Sequence, residues 1–181
     1  LNNHFNGFEE VLVNILKGIM KKYILLLLIS VAIYSQDSKE ITGVWQDMEI
    51  LASGWSNTYM FYPGGSYKFF YSQMDCSKRT VSEEGTFEVK DSFISLNPVK
   101  IGIIEGGIME PSNGSCGSDS MITGGVFKKI DVKNLEAARY PIGEVQTETN
   151  DEIERTTILI GNGKFWKFGS EPDEFIKQFE N

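Results

Sequence analysis

TYMFYPGGSYKFFY, residues 58–71, is two aromatic runs joined by Pro63-Gly64-Gly65. Glycine reaches the positive φ angles of a tight turn at no steric cost, so the stretch reads as a β-hairpin. Tyr67, Phe69 and Tyr71 fall on one side of the second run, and Lys68 and Ser72 on the other. Period-two alternation of this kind is the pattern of a strand with one buried face.

The same grammar extends in both directions. Upstream, VWQDMEIL (residues 44–51) alternates, with Val44, Met48 and Ile50 against Asp47 and Glu49. Downstream, EEGTFEVKDSFISLNP (83–98) sets Phe87 and Val89 against Thr86, Glu88 and Lys90, then turns at Asp91-Ser92 into Ile94 and Leu96. Residues 101–125 are glycine-rich and read as two strands flanking a mobile loop at Pro111–Ser120. GVFKKIDV (125–132) is another strand, and NLEAARY (134–140) reads as a short helical turn ended by Pro141. Two further hairpin turns are expected at Asn150-Asp151 and at Gly161-Asn162-Gly163. The acidic run Glu144–Glu154 belongs to the first of them and reads as solvated. Pro172, the acidic residues after it, and Phe175, Ile176 and Phe179 at helical spacing mark a short amphipathic C-terminal helix.

Roughly eight to ten short strands joined by tight turns predict an all-β antiparallel up-and-down meander. Such strands must close on themselves or guard their edges, and a barrel in which sequence neighbours are spatial neighbours is the expected solution.

The front of the chain carries a different message. Met20 is followed by Lys21 and Lys22 and by an apolar run from Tyr23 to Tyr34. A short positive segment, an apolar segment and a small residue are the parts of a secretory signal, here with cleavage expected after Ser35. The run falls short of the roughly 20 apolar residues a spanning helix needs, so no membrane span is expected after cleavage. No cysteine precedes Cys76, so the lipid-attachment cysteine of a lipoprotein is missing and an exported, periplasmic or secreted, location follows. Residues 1–19 read as upstream sequence translated in error; the competing reading is an amphipathic helix with Phe8, Val11, Leu12, Ile15 and Ile19 on one side. Residues 36–181 then form a single domain of about 145 residues, long enough for a sizeable core.

The chain has 25 acidic and 17 basic residues, a net charge of −8. A negative surface repels nucleic acid and anionic membranes, which excludes both as expected partners. The one histidine, His4, leaves with the leader, so Ser-His and Cys-His nucleophiles and imidazole zinc ligands are excluded from the domain. Glu83 and Glu84 are sequence neighbours and, in a strand, point to opposite faces rather than forming a catalytic carboxylate pair. Oxygen-rich loops at 111–120 and 147–154 lack a calcium-ligand spacing. No enzyme, cofactor or metal is therefore expected. Cys76 and Cys116 suggest a disulfide closing a loop of about 40 residues in an exported chain; two free thiols are the alternative.

Three stretches resemble a known family. ITGVWQDMEI (41–50) contains the Gly43-x-Trp45 of the first strand of lipocalins, and MFYPGGSYKFF (60–70) and EEGTFEVKDSFISL (83–96) are similar to hairpins of lipocalin-like (calycin-type) domains in secreted bacterial proteins. The resemblance implies a barrel whose closed end is sealed by Trp45, packed beside an arginine from a late strand, Arg155 or its competitor Arg139. It also implies a small apolar or aromatic ligand inside the barrel. Tyr59, Phe61, Tyr67, Phe69, Tyr71 and Phe87 are the expected lining, with tyrosine hydroxyls to orient the ligand. The alternative is a barrel filled by these side chains, belonging to a non-enzymatic envelope interaction or structural protein.

Overall fold

The central hairpin forms as its sequence demands. Tyr62 N–H donates to the Ser66 carbonyl at 2.9 Å and Gly65 N–H to the Tyr62 carbonyl at 3.1 Å, with Gly65 at φ 76°. In the computed structural model, which describes residues 40–177 apart from 52, 53, 134, 151 and 152, this turn joins β2 (Thr58–Phe61) to β3 (Ser66–Phe70). The leader, the signal segment, His4 and Phe179 lie outside the described residues.

Asp91 and Ser92, at φ 52° and 59°, make the two-residue turn between β4 (Thr80–Lys90) and β5 (Phe93–Pro111). Two successive positive φ angles match the twist of the flanking strands, which is why so short a connection suffices. The remaining strands are β1 (Gly43–Gln46), β6 (Ser120–Asp131), β7 (Ala138–Pro141), β8 (Gln146–Asn150), β9 (Ile153–Ile160) and β10 (Gly163–Gly169). Helix α1 (Pro172–Lys177) follows, with Asp173 and Glu174 at its positive end and Lys177 at its negative end.

All the pairings are antiparallel, in the order β6-β5-β4-β3-β2-β1-β10-β9-β8, with β7 added beside β5. The protein is thus a mostly antiparallel β-sheet with one short C-terminal helix. The ladder path itself is open, ending at β6 and β8. The sheet nonetheless curls strongly. Ile94 and Leu96 of β5 and Ile158 and Ile160 of β9, six ladder steps apart, pack in one cluster with Trp45.

Gly43 opens β1 at φ 134°, where a side chain would also run into the Gly169 carbonyl. Only glycine combines that backbone angle with so close an approach by β10. Among the described residues no helix is long and apolar enough to cross a membrane.

Two expectations are corrected. The alternation of residues 44–51 does not continue as strand beyond Gln46, and Met48, Ile50 and Leu51 are exposed. The Asp47 carboxylate accepts from the Asn57 backbone N–H at 2.9 Å and from its side-chain amide at 2.5 Å, local bonds that compete with the ladder. Residues 138–140 of the expected helical turn are instead part of β7. The start of β5 that β6 leaves uncovered, Phe93–Leu96, offers free ladder groups, and pairing with them overrides local helix propensity.

Candidate ligand-binding site

Alternation sorts the residues of β2 and β3 onto two faces. On the inner face, Tyr59, Phe61, Tyr67 and Phe87 are buried in the main core and Phe69 packs against it. Ring meets ring throughout: Tyr59 to Phe69 at 4.3 Å, Phe61 to Phe87 at 4.8 Å, Tyr59 to Phe61 and to Phe165 at 5.2 Å each, and Phe69 to Tyr71 at 4.7 Å. These separations are those of rings in direct contact. The structure brings the six expected lining residues together: five in ring-to-ring contact and Tyr67 buried in the same core.

Glu83 lies at the edge of this stack and accepts from the Tyr71 hydroxyl and, at 3.5 Å, from that of Tyr67. Burial, reinforced by this carboxylate, pushes the Tyr67 and Tyr71 hydroxyls well above the usual tyrosine range, and burial does the same to Tyr59. Glu84, one residue on, pairs with Lys129 on the opposite face. The two glutamates diverge, as their positions in a strand require.

Trp45 is fully buried and its indole N–H donates to the Ile41 carbonyl at 2.7 Å. The cation over its ring is Lys167 of β10, at 5.4 Å, rather than either expected arginine. Arg155 pairs with Glu49, and Arg139 lies over Phe93 at 4.2 Å. Residue 167 stands opposite Trp45 in the β1–β10 register, whereas Arg155 sits in the half of β9 that pairs with β8.

The open volume is on the outer face. A cleft of about 920 Å³ runs across it. Its floor follows one register row, Gln46–Thr58–Phe70–Ser82–Gly102–Lys129, across six strands. Phe175 and Ile176 of α1 form one wall, and Ile104 and Phe127 of the β5–β6 hairpin another. At Gly102 a methyl group would overlap both the Ser82 hydroxyl and the Phe127 ring, so glycine lets that ring lie across the floor.

The hairpin wall is fastened to the β3–β4 connection. Ile104 N–H donates to the Arg79 carbonyl at 2.8 Å, Gly117 N–H to Met74 at 2.8 Å and Ile122 N–H to Cys76 at 3.0 Å. The Arg79 guanidinium donates to the Ile104 and Gly106 carbonyls at 3.1 and 2.6 Å. Cys76 and Cys116 are free thiols that interact across this junction. The contact, with help from Ser118, draws the Cys116 thiol down to about 7 and pushes that of Cys76 up.

Of the expected lining set, only Tyr71 touches the cleft as well. Sequence reasoning missed Gln46, Thr58, Phe70 and Ser82 because it followed one parity of each strand. The signal was Phe70, a large ring on the parity otherwise given to Lys68 and Ser72. No family model, curated protein or solved structure matches the chain.

Proposed function

We propose that this chain is an exported, non-catalytic, lipocalin-like protein that binds a small apolar or aromatic molecule in the cleft on the outer face of its sheet, while the aromatic interior serves as its core. The observation that carries the reading is the cleft itself: about 920 Å³, mostly apolar in lining, with a few buried polar groups on its floor. Small-molecule sites commonly enclose roughly 300–1,000 Å³ and have this mixture of surfaces. Export is supported by the Met20–Ser35 pattern. In an oxidising compartment Cys76 and Cys116 close as a disulfide, giving up two protons and two electrons to a disulfide-exchange catalyst, and this fastens the hairpin wall. The interaction between the two thiols supports that pairing.

The finer architecture is a barrel completed through β7. Support comes from the Ile142–Ile160 bridge, from Ile142 N–H donating to Ser92 at 2.9 Å, and from Gly143 N–H donating to Leu159 at 2.9 Å. Segment 141–143 thereby touches both the β5 and β9 sides of the curled sheet.

A second reading, an envelope interaction protein, is favoured by Ile108, Met109 and Val126. These residues expose 63%, 50% and 60% of their surface on the outer part of the β5–β6 hairpin.

The test is titration with a neutral solvatochromic dye. One dye per chain is expected, with Phe70→Ala weakening it by about fivefold, the loss of one aromatic contact. Phe87→Leu in the interior leaves dye affinity unchanged. If Phe87→Leu weakens the dye and Phe70→Ala does not, the ligand belongs among the interior aromatics. Absence of dye binding turns the reading to the exposed hairpin.

A further inference from the structure

We propose that Cys76 and Cys116 form a redox latch on the cleft: closed as a disulfide they hold the outer β5–β6 hairpin in place, and reduction by an external dithiol frees it and speeds release of the bound molecule. The inference rests on the outer-cleft reading above and adds its regulation. Cys76 itself lines the cleft, and so do Met121 and Ile122 of β6. Ile122 N–H donates to the Cys76 carbonyl at 3.0 Å, so the wall is fastened at the residue that carries one of the thiols. Cys116 sits in the end loop of the hairpin beside Gly117, whose N–H donates to the Met74 carbonyl at 2.8 Å. Both cysteines are half-buried, and their thiols meet across this seam.

Beyond this seam the outer hairpin has few holds. Among the described residues β6 ends the ladder path, with β5 as its one neighbour, and Ile108 and Met109 are exposed rather than packed. The hairpin bends where Gly106 pairs with Gly125, and Gly106, Gly107 and Gly124 stand at φ 68°, 69° and 70°. A side chain at Gly106 or Gly124 would meet nothing within 4 Å, so no packing braces the bend there. The end loop, by contrast, is knit by its own bonds. Ser112 N–H donates to the Asp119 carbonyl at 2.9 Å, and the Ser115 N–H and hydroxyl both donate to the Ser112 carbonyl, at 2.9 and 2.6 Å. The loop and the strand ends beside it therefore open as one piece about the glycines, a local event far less costly than global unfolding. A covalent bridge across the seam blocks that opening. Its reduction balances in two exchanges. One thiolate of the dithiol attacks the Cys76 sulfur and Cys116 leaves as a thiolate; the second thiolate of the dithiol then displaces Cys76. The chain gains two electrons and two protons, and the dithiol becomes a disulfide. Cys116 is the better leaving group, since the neighbouring Cys76 thiol and Ser118 hydroxyl draw its pKa down to about 7.

The test measures release of the neutral dye by stopped-flow dilution, from the oxidised chain and from the chain reduced with dithiothreitol. Release is expected to be about tenfold faster after reduction. Cys116→Ser and Cys76→Ser should each release at the reduced rate with or without dithiothreitol. Hydrogen exchange in the same two samples should show protection lost at residues 108–123 on reduction and kept in the β2–β3 ladder. Equal release rates overturn the latch and leave the cleft standing. Slower release after reduction overturns it as well, as does a response to dithiothreitol that survives in the serine variants. Protection lost evenly across the sheet would make the bridge a fastening of the whole fold, and the latch assignment fails. A chain that never loses two hydrogens in the presence of oxidised glutathione refutes it at the first step. If the dye binds neither form, the cleft reading fails together with the latch.

Discussion

The two faces of β2 meet different surroundings, although all four of its residues are buried. On one face Tyr59 and Phe61 sit in ring-to-ring contact with neighbours from β3, β4 and β10. On the other, Thr58 and Met60 alternate with them; both are buried yet line the cleft, Met60 packed with Val44 and Phe175. A strand's period of two makes this possible: successive side chains meet opposite environments, so one short segment can contribute to the core and to a binding surface at once. The inner face is specified by shape and volume, and the outer face by which polar groups reach the floor of the cleft. That separation predicts that substitutions will sort by parity rather than by position along the chain.

The largest effect tests the sorting directly. Phe61 is fully buried, and Phe61→Ala is expected to cost about 3–5 kcal/mol in urea unfolding, the usual range for an aromatic cavity. Phe70→Ala, at the half-exposed floor of the cleft, is expected to cost less than about 1 kcal/mol. Equal losses would mean that the outer face is core as well, and the contrast between the faces would collapse.

Next in size is the thiol pair. Closing Cys76 to Cys116 spans about 40 residues, and the chain-entropy argument gives an oxidised form about 3–4 kcal/mol more stable than the reduced one. Intact mass falls by two hydrogens on oxidation, and Cys116→Ser abolishes both the mass change and the stability difference. In the reduced chain Cys116, with its pKa near 7, is the thiol expected to alkylate first at neutral pH. Preferential labelling of Cys76 would contradict the geometry of the junction.

Legibility in the sequence followed the range of the interactions involved. The turns at Pro63-Gly64-Gly65 and Asp91-Ser92 are local, so their residues announced them, and the hairpins β2–β3 and β4–β5 form where expected. The short helix at Pro172 was equally visible, since its start signal and apolar spacing lie within two turns. Residues 138–140 failed because β7 depends on an uncovered stretch of β5 more than forty positions away, which no local propensity encodes. The strand expected through Ile50 failed because one Asp47–Asn57 bond pair redirects the chain. The cleft was hidden for a related reason. Its floor is a register row drawn from six strands, and a row exists only once every strand is paired. The interior aromatics, by contrast, stood out through their own alternation, although alternation alone cannot say whether such rings surround a space or fill it.

Alkaline pH bears mainly on the inner face, where three of the four tyrosines raised by burial stand. Burial raises Tyr59, Tyr67 and Tyr71 above the ordinary value of 10.0 in the folded chain. A group raised on folding contributes stability that is fully present below its unfolded pKa and is lost as pH rises through the folded one. Stability is therefore expected to hold up to about pH 10 and to decline steadily above it, with tyrosinate absorbance appearing together with unfolding. Tyr71→Phe, which removes one of these hydroxyls, should shift the decline to higher pH. Early, non-cooperative ionisation that Tyr71→Phe diminishes would mean that solvent reaches the ring stack in the folded state.

The smallest effect is expected at the edge of the outer face, and it completes the contrast. Lys129 and Glu84 pair with side chains 51% and 24% exposed. Pairs this accessible to solvent contribute about 0–1 kcal/mol, because water screens the attraction and ordering two long side chains offsets part of it. Glu84→Gln is therefore expected to leave urea unfolding almost unchanged. A large loss of stability would instead place Glu84 among the residues that hold the sheet together.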